Sequence, residues 1–378
     1  MALTIGMFTD SYRPRISGVV HSVGTLARCL RARGHRVHIF APHYPGQVDD
    51  EPDVHRLPSL VIGKNRDFPV LLPTVGPLRR IERELGLDVL HAHSPFVAGH
   101  LAMRVRDGRP VVFTHHTLYA EYVHYAPGIP SPLARWWVRR RVRRFCDRCD
   151  VVIVPTRVIG RMLRDHGVRA RIDVIPTAVL DLNAIGRIPP ISREPFGDAP
   201  LVVCAGRMAP EKSMDLVLEA FAVARARHPA HLVMVGGGPA LPQLQGLAVR
   251  MGIADHVTFV GELPYESAIA WMKAADVFAF ASQTETQGLV VLEAMACGVP
   301  VVVVAAAGVV EAVEHGQTGL LTEPDPVSLG EAIGRVLADE DLRRTLGEGG
   351  RRAAQAYSAE AVTERTLRVY ASVAGGTG

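Results

Sequence analysis

The sequence predicts an α/β protein built of two doubly wound, Rossmann-like domains. Three observations carry that prediction. The chain has 378 residues, more than one ordinary core holds, and domains of roughly 150–200 residues are the default. Short apolar strands alternate with helical stretches through the first half. After a proline-rich break the alternation starts again.

Taken in order, "LTIGMFTD" reads as a strand, "GVVHSVGTLARCLRARGH" as a helix ending at Gly34, and "RVHIFAP" as the next strand. The strands "VLHAHS", "PVVFTHH", "DVVIVPT" and "RIDVIPT" follow, with helical patterns between most of them. Residues 1–181 form the first domain in this reading. Residues 182–200 hold four prolines and no periodicity, which reads as a linker. A second domain, 201–356, runs through "LVVCAGR", "HLVMVGGG", "HVTFVGE", "DVFAFAS", "GLVVLEAMA" and "VPVVVV". A C-terminal helix in 357–378 is expected to pack back toward the first domain. Ligands of such sheets sit at the carboxyl ends of the strands, so two domains facing each other would make a cleft.

Hydrophobic residues make up 48% and charged residues 21% of the chain, a globular composition that excludes wholesale disorder. The net charge of +4 matters only through its placement. The opening "MALTIGMFTD" has no basic n-region, so no secretory signal is expected. No apolar run reaches the roughly 18 residues of a membrane span. Five scattered cysteines fit a reducing cytoplasm. Cys146 and Cys149, in "CDRC", lack a second ligand pair and read as incidental thiols on a helix.

The loop after "DVFAFAS" carries Glu285, and the helix that opens near Gly288 carries Glu293. Backbone N–H groups at Gly288, Leu289 and Val290 favour an anion. By spacing alone, a solvated acid and a helix-dipole partner account for the two glutamates. A nucleotide sugar, hydroxylated at both ends and anionic between, accounts for them together with a second constellation. In "AGRMAPEKSMD", Arg207 and Lys212 share one strand-to-helix loop. A planar fork and a point charge there suit a diphosphate and the charge that develops as it leaves. The glycines of "GGGP" (236–239) and Gly18, before the first helix, allow close backbone approach.

"VLHAHSPF" and "VVFTHHTLYAEY" bring His91, His93, His115 and His116 to two strand ends. No carboxylate or cysteine completes a ligand set, so no metal is expected. A histidine beside a sugar hydroxyl fits better, with His116 chosen and His115 second, because adjacent strand residues face opposite ways. Residues 134–150 carry Arg135, Arg139, Arg140, Arg141, Arg143, Arg144 and Arg148 among Trp136, Trp137, Val138, Val142 and Phe145. Arginines with interfacial tryptophans suit an anionic membrane surface. A helix whose Trp and Val stripe packs in the core, its arginines merely solvated, accounts for the segment equally well. No stacking platform accompanies the charges, so nucleic acid is not an expected partner.

The run "GRMAPEK", the spacing "ETQGLVVLE" and the following "AMACGVPVV" together resemble the retaining glycosyltransferases of family 4 (GT4), with their two-domain GT-B fold. The resemblance implies metal-independent transfer of a sugar from a nucleotide donor with retained anomeric configuration. Carried over by position, it implies that Arg207 and Lys212 hold the diphosphate, Glu293 the ribose and Glu285 the transferred sugar. Gly288 and Leu289 would offer backbone N–H groups, Gly18 would close on the diphosphate, and His116 would stand near the anomeric carbon. "HSPFVAGHLA" and "THHTLYAEYVHY" are similar to the diacylglycerol glucosyltransferase branch, which makes membrane glycolipids from UDP-glucose. That branch implies Glu121 and Tyr122 on the acceptor side. It also implies a membrane role for Arg135, Trp136, Arg139, Arg140, Arg143 and Arg144, and a peripheral place on the inner face of the cell membrane. Two departures flank the implied donor pocket: Ala178 stands where the family has a glycine turn, and the run before Gly308 lacks the usual polar residues.

The expected function is therefore transfer of a hexose, glucose from UDP-glucose first, onto a membrane lipid such as diacylglycerol. Transfer of mannose from GDP-mannose, or transfer to a soluble acceptor, keeps the chemistry and changes the substrates. A nucleotide-sugar epimerase of the same fold and a non-catalytic binding module fit the residues less well. A nicotinamide dehydrogenase lacks its Gly-x-Gly-x-x-Gly after the first strand.

Overall fold

The computed structural model describes residues 2–15, 17–46, 53–61, 69–120, 131–177 and 180–375. The chain divides into two compact units: Met1–Val179 with Ala359–Gly378, and Leu180–Ser358.

In the first unit the elements run β1 (Thr4–Phe8), α1 (Gly18–Ala32), β2 (Arg36–Pro42), β3 (Val54–Leu57), β4 (Ser59–Val61), β5 (Pro69–Leu71) and α2 (Gly76–Leu85). Then follow β6 (Val89–Ala92), α3 (Val97–Val105), β7 (Val111–Thr114), α4 (Ser131–Cys146), β8 (Val151–Val154), α5 (Arg157–Asp165) and β9 (Ile172–Val174). Seven strands form one parallel sheet in the order β3-β2-β1-β6-β7-β8-β9, while β4 and β5 pair antiparallel outside it. The sequence reading contains neither β3 nor this hairpin. They are short and proline-flanked, and they lack the long apolar runs that betray a central strand.

All five residues of β1 are buried, as a sheet covered on both faces requires. On one face Leu101, Phe145 and Leu163 pack against Phe8, Phe113 and Val152. On the other, Val20 and Val23 of α1 share a core with Ile5, Met7 and Ile39, joined by Val362, Val369 and Tyr370. These last three belong to α13 (Ala359–Ala374), so the final helix is part of this unit's core. Burying one such aliphatic side chain stabilises by about 1.5–3 kcal/mol.

The second unit contains α6 (Leu182–Arg187), β10 (Leu201–Ala205), α7 (Met214–Arg225), β11 (His231–Val235), α8 (Leu241–Arg250), β12 (Val257–Gly261) and α9 (Tyr265–Ala274). It continues with β13 (Val277–Phe280), α10 (Leu289–Cys297), β14 (Val301–Val304), β15 (Leu320–Thr322), α11 (Pro326–Ala338) and α12 (Glu340–Ala354). Its six parallel strands lie in the order β12-β11-β10-β13-β14-β15. Asp325 and Asp339 cap α11 and α12 by accepting from backbone amides of their first turns.

Residues 182–200, expected as a linker, lie within the second unit. Residues 182–187 form α6, and the remainder is anchored along α9. Ile191 N–H donates to the Ala270 carbonyl at 3.1 Å, and Lys273 Nζ donates to the Ile188 carbonyl at 2.6 Å. Arg193 reaches Asp276 at 2.8 Å, and the Phe196 ring rests against His231 and Trp271. The prolines mark turns of a packed segment.

Candidate active site

In the second unit the strand order reverses between β10 and β13, and ligands of doubly wound sheets bind at that switch point. The loop after β10 carries Arg207 and Lys212, and the loop after β13 carries Glu285. Lys212 Nζ forms an ion pair with Glu285, both side chains mostly shielded from solvent. Ser282 and Thr284 hydroxyls donate to the Glu211 carbonyl at 3.3 and 3.2 Å, pinning the two loops together. Arg207 stands exposed on the same loop.

The glycine run after β11 has a packing reason. A Cβ on Gly236 would lie 2.0 Å from the Gly206 carbonyl oxygen, and one on Gly238 would lie 2.4 Å from that of Met208. Met208 N–H also donates to the Gly237 carbonyl at 2.8 Å. The run therefore lets backbone lie against backbone and shapes the loop that presents Arg207 and Lys212.

Gly288, the N-cap of α10, has a left-handed φ of 77° and no side chain of its own to cap the first-turn amides. Gly308 N–H donates to the Glu285 carbonyl at 3.0 Å and braces this loop from behind. Glu293, on the second turn of α10, is buried with its carboxyl against the Tyr265 phenol of α9. Burial outweighs that hydrogen bond and holds the Glu293 carboxyl up at about 8. At neutral pH it is protonated and can donate as well as accept. Its side chain faces a protein partner that the sequence reading did not contain. Tyr265 precedes Glu293 by a whole helix–strand unit, and no periodicity links them.

In the first unit the switch falls between β1 and β6. Asp10, just past β1, accepts from Ser94 Oγ and from the Ala98 N–H at 2.9 Å. Burial pushes its carboxyl up against those hydrogen bonds. Sequence reading missed it; a carboxylate directly after a first strand was the available signal. Gly18 is the exposed first residue of α1, behind Ser17, whose hydroxyl accepts from Val20 N–H at 3.3 Å.

The histidines lie on two sides of the sheet edge. His115 packs with Phe113 and Tyr119. His116 stacks on His93, the ring centroids 5.2 Å apart, with His93 Nδ1 and His116 Nε2 hydrogen-bonded at 2.9 Å. Desolvation keeps these rings neutral, His116 at about 3 and His115 at about 4. His116 can therefore offer a hydrogen bond but not a positive charge near pH 7.

On α4 the two sequence readings divide the helix between them. Val142, Phe145 and Cys146 are buried, whereas Trp136 and Trp137 are 57% and 53% exposed. Arg140 lies over the Trp136 ring at 5.7 Å and Arg141 over Trp137 at 5.6 Å. The core stripe is aliphatic and phenyl, and the tryptophans belong to the basic surface. Arg143 is partly covered, its guanidinium beside Gly167; Arg135, Arg139, Arg140 and Arg144 are exposed. Buried Cys146 is pushed up to about 12, which leaves it inert. Glu121, Tyr122 and Ala178 lie outside the described residues. Among the described residues no group of three His, Cys, Asp or Glu side chains is placed to hold a metal, and no helix is long and apolar enough to cross a membrane.

The family model "Glycosyltransferase Family 4" matches residues 16–180, and "Glycosyl transferases group 1" matches 190–353. The chain is 34% identical over 319 residues to alpha-monoglucosyldiacylglycerol synthase of Streptococcus pneumoniae, covering 79% of this chain and 70% of that one. It is 30% identical over 365 residues to the GDP-mannose-dependent alpha-(1-6)-phosphatidylinositol monomannoside mannosyltransferase of Mycobacterium tuberculosis, covering 91% and 92%. Among solved structures, HepE of Anabaena in complex with UDP and glucose superposes with a TM-score of 0.78 at 21% identity, over 98% of this chain and 100% of that one.

Proposed function

The chain belongs to glycosyltransferase family 4, and on that premise we propose that it transfers glucose from UDP-glucose to diacylglycerol at a membrane surface. The observation that carries the donor half is the joining of Lys212 to Glu285 at the switch point of the second unit. Arg207 and Lys212 face the diphosphate, and the lysine exchanges part of its ion pair for phosphate oxygens. Glu285 then binds hydroxyls of the sugar, Glu293 those of the ribose, and the amides of Gly288 and Leu289 the sugar or phosphate. Gly18 closes on the diphosphate, and neutral His116 hydrogen-bonds near the anomeric carbon.

Reaction proceeds on one face of the sugar. The bond from the anomeric carbon to the UDP oxygen breaks, and the acceptor oxygen bonds to that carbon. The acceptor proton passes to the departing phosphate oxygen. Cations aimed at developing charge supply the largest single contribution to such a step.

The acceptor half rests on α4, where arginines stack on exposed tryptophans, a pattern suited to an anionic lipid interface. Both relatives compared above have a glycolipid in their names. Glu121 and Tyr122 are the acceptor-side residues of this reading. The protein then works as a peripheral enzyme on the inner face of the cell membrane. A second reading, mannose from GDP-mannose, is favoured by the mycobacterial relative, which matches over more of the chain.

The deciding experiment measures hydrolysis and transfer across UDP- and GDP-sugars, with and without diacylglycerol in anionic vesicles. UDP-glucose consumed only when the lipid is present is the expected result. Consumption of GDP-mannose instead moves the donor to the second reading. Equal turnover without lipid removes diacylglycerol as the acceptor.

A further inference from the structure

Lysine is scarce in this chain: of its 42 Lys and Arg residues only Lys64, Lys212 and Lys273 are lysines. The backbone around Lys212 is held from two sides. Its N–H donates to the Ala209 carbonyl at 2.9 Å, within its own loop. The carbonyl of the same peptide unit belongs to Glu211, and it accepts from Ser282 Oγ at 3.3 Å and Thr284 Oγ1 at 3.2 Å. One peptide plane is therefore fixed at its nitrogen by the β10 loop and at its oxygen by the β13 loop. Ser282 is buried and Thr284 half-buried.

The next residue is strained. Ser213 has φ 47° and ψ 44°, and among the described residues Asp107 is the only other non-glycine with a positive φ. A Cβ makes the left-handed conformation costly, so it persists where the surroundings hold it. The serine hydroxyl does not offset that cost, since it caps no amide of α7. Ser213 instead separates the 3-10 turn of Pro210–Lys212 from Met214, the buried first residue of α7. Lys212 thus lies between a peptide plane held at both ends and a left-handed turn, which together set the direction its side chain takes.

Ser282, Thr284 and Glu285 belong to one loop. That loop touches the Lys212 segment twice, with Glu285 on the ammonium and with two hydroxyls on the backbone. When the lysine turns to phosphate oxygens and Glu285 to sugar hydroxyls, the first contact is given up in part. The second survives the exchange and keeps the cation preorganised.

We propose that Ser282 and Thr284 are positioning residues: by holding the Glu211–Lys212 peptide against the left-handed turn at Ser213, they keep the Lys212 ammonium aimed at the diphosphate. The proposal rests on the reading of Lys212 as a diphosphate ligand. Neither hydroxyl is assigned contact with substrate.

The test uses the full chain with Thr284→Val, Thr284→Ser, Ser282→Ala, the Ser282→Ala/Thr284→Val double variant, that double variant with Ser213→Gly, and Lys212→Ala. Each is checked for melting temperature. Lysine labelled with carbon-13 at Cε reports three residues, and the Lys212 signal is the one absent from Lys212→Ala. In the double variant that signal should shift while the Lys273 signal stays. With UDP-glucose, kcat should fall about 10- to 100-fold with the donor KM little changed. Thr284→Ser, which keeps the hydroxyl, should retain most of the kcat that Thr284→Val loses. Glycine takes the left-handed conformation without the Cβ penalty, so Ser213→Gly should return part of kcat to the double variant. An unmoved Lys212 signal in the double variant overturns the proposal. So does a loss in Thr284→Ser equal to that in Thr284→Val. No recovery with glycine overturns the part given to Ser213. Full turnover in Lys212→Ala is a different failure: it removes Lys212 as a diphosphate ligand, while the carbon-13 arm, which needs no substrate, still decides whether the hydroxyls place it.

Discussion

The second unit carries charge at its switch point: Lys212 and Glu285 meet across the β10 and β13 loops, with Arg207 exposed beside them. At the corresponding reversal of the first unit stand a half-buried Asp10, Ser94 and, at the ends of β6 and β7, stacked neutral imidazoles. One topology therefore supports two electrostatic regimes. The difference follows from burial. Lys212 and Glu285 keep some solvent and each other, whereas the rings of His91, His93 and His116 lose nearly all solvent and cannot ionise near neutrality. A paired charged site suits an anionic leaving group; a neutral one suits hydroxyls.

The largest effect that tests this contrast is removal of charge from the charged side. Lys212→Ala should lower turnover by about 10²–10³-fold with the fold retained, since a preorganised donor to a leaving group is lost. A tenfold loss or less would mean that Arg207 alone carries the diphosphate.

Away from the histidine cluster the first unit carries charge. On its exposed helix, replacing Arg139, Arg140 and Arg144 together by Ser should weaken binding to anionic vesicles on the order of 100-fold, at about 1 kcal/mol for each arginine. Melting temperature should hold, because the buried face of α4 is Val142, Phe145 and Cys146. Vesicle sedimentation at low and high salt reads the loss. Unaltered sedimentation would return the helix to a purely structural role.

The sharpest contrast is in the sign of the pH dependence. Glu293 is raised from 4.5 to about 8, so its contribution to stability is full below pH 4.5 and is lost as pH rises through about 8. The histidines run the other way. His91 and His116 are lowered from 6.5 to about 3, so their contribution is full above pH 6.5 and is lost as pH falls toward 3. Hydrogen exchange should show α10 loosening on the alkaline side and β7 on the acid side. Glu293→Gln should flatten the alkaline slope, an effect on the order of a few kcal/mol. Parallel slopes in the two elements would break the comparison.

Turnover should show the smallest effect of all. Between about pH 6 and 7.5 no limb with the ordinary histidine value should appear, because His116 stays neutral throughout. A limb near 6.5 would mean that His116 ionises during catalysis.

Much of this was legible before any coordinates. Each long buried strand, such as "LVVCA" or "VVIV", is an uninterrupted apolar run, and the strand-end loops that carry Arg207, Lys212, Glu285 and Gly288 could be placed from it, although by spacing alone Glu285 read as a solvated acid. What the sequence did not show shares one cause. The contacts of residues 182–200 with Ala270, Lys273 and Asp276 reach some eighty positions along the chain. Tyr265 beside Glu293, and Tyr370 beside His91, are likewise contacts of tertiary structure, invisible to any local period. Hydrophobic periodicity reports which face a residue takes, not which residue meets it there.

The placement of α13 in the first unit's core has a consequence for synthesis. A domain made of consecutive residues can finish folding as it leaves the ribosome. This one cannot, because Val362, Val369 and Tyr370 join Ile5 and Met7 in a single cluster. The nascent chain must carry an open apolar surface on α1 and β1 while the whole second unit is translated. His91 receives its tyrosine only when that helix arrives. Assembly of the first unit's histidine cluster is thus ordered in time: the second unit can close first, and the first unit is completed by residues that follow it in the chain.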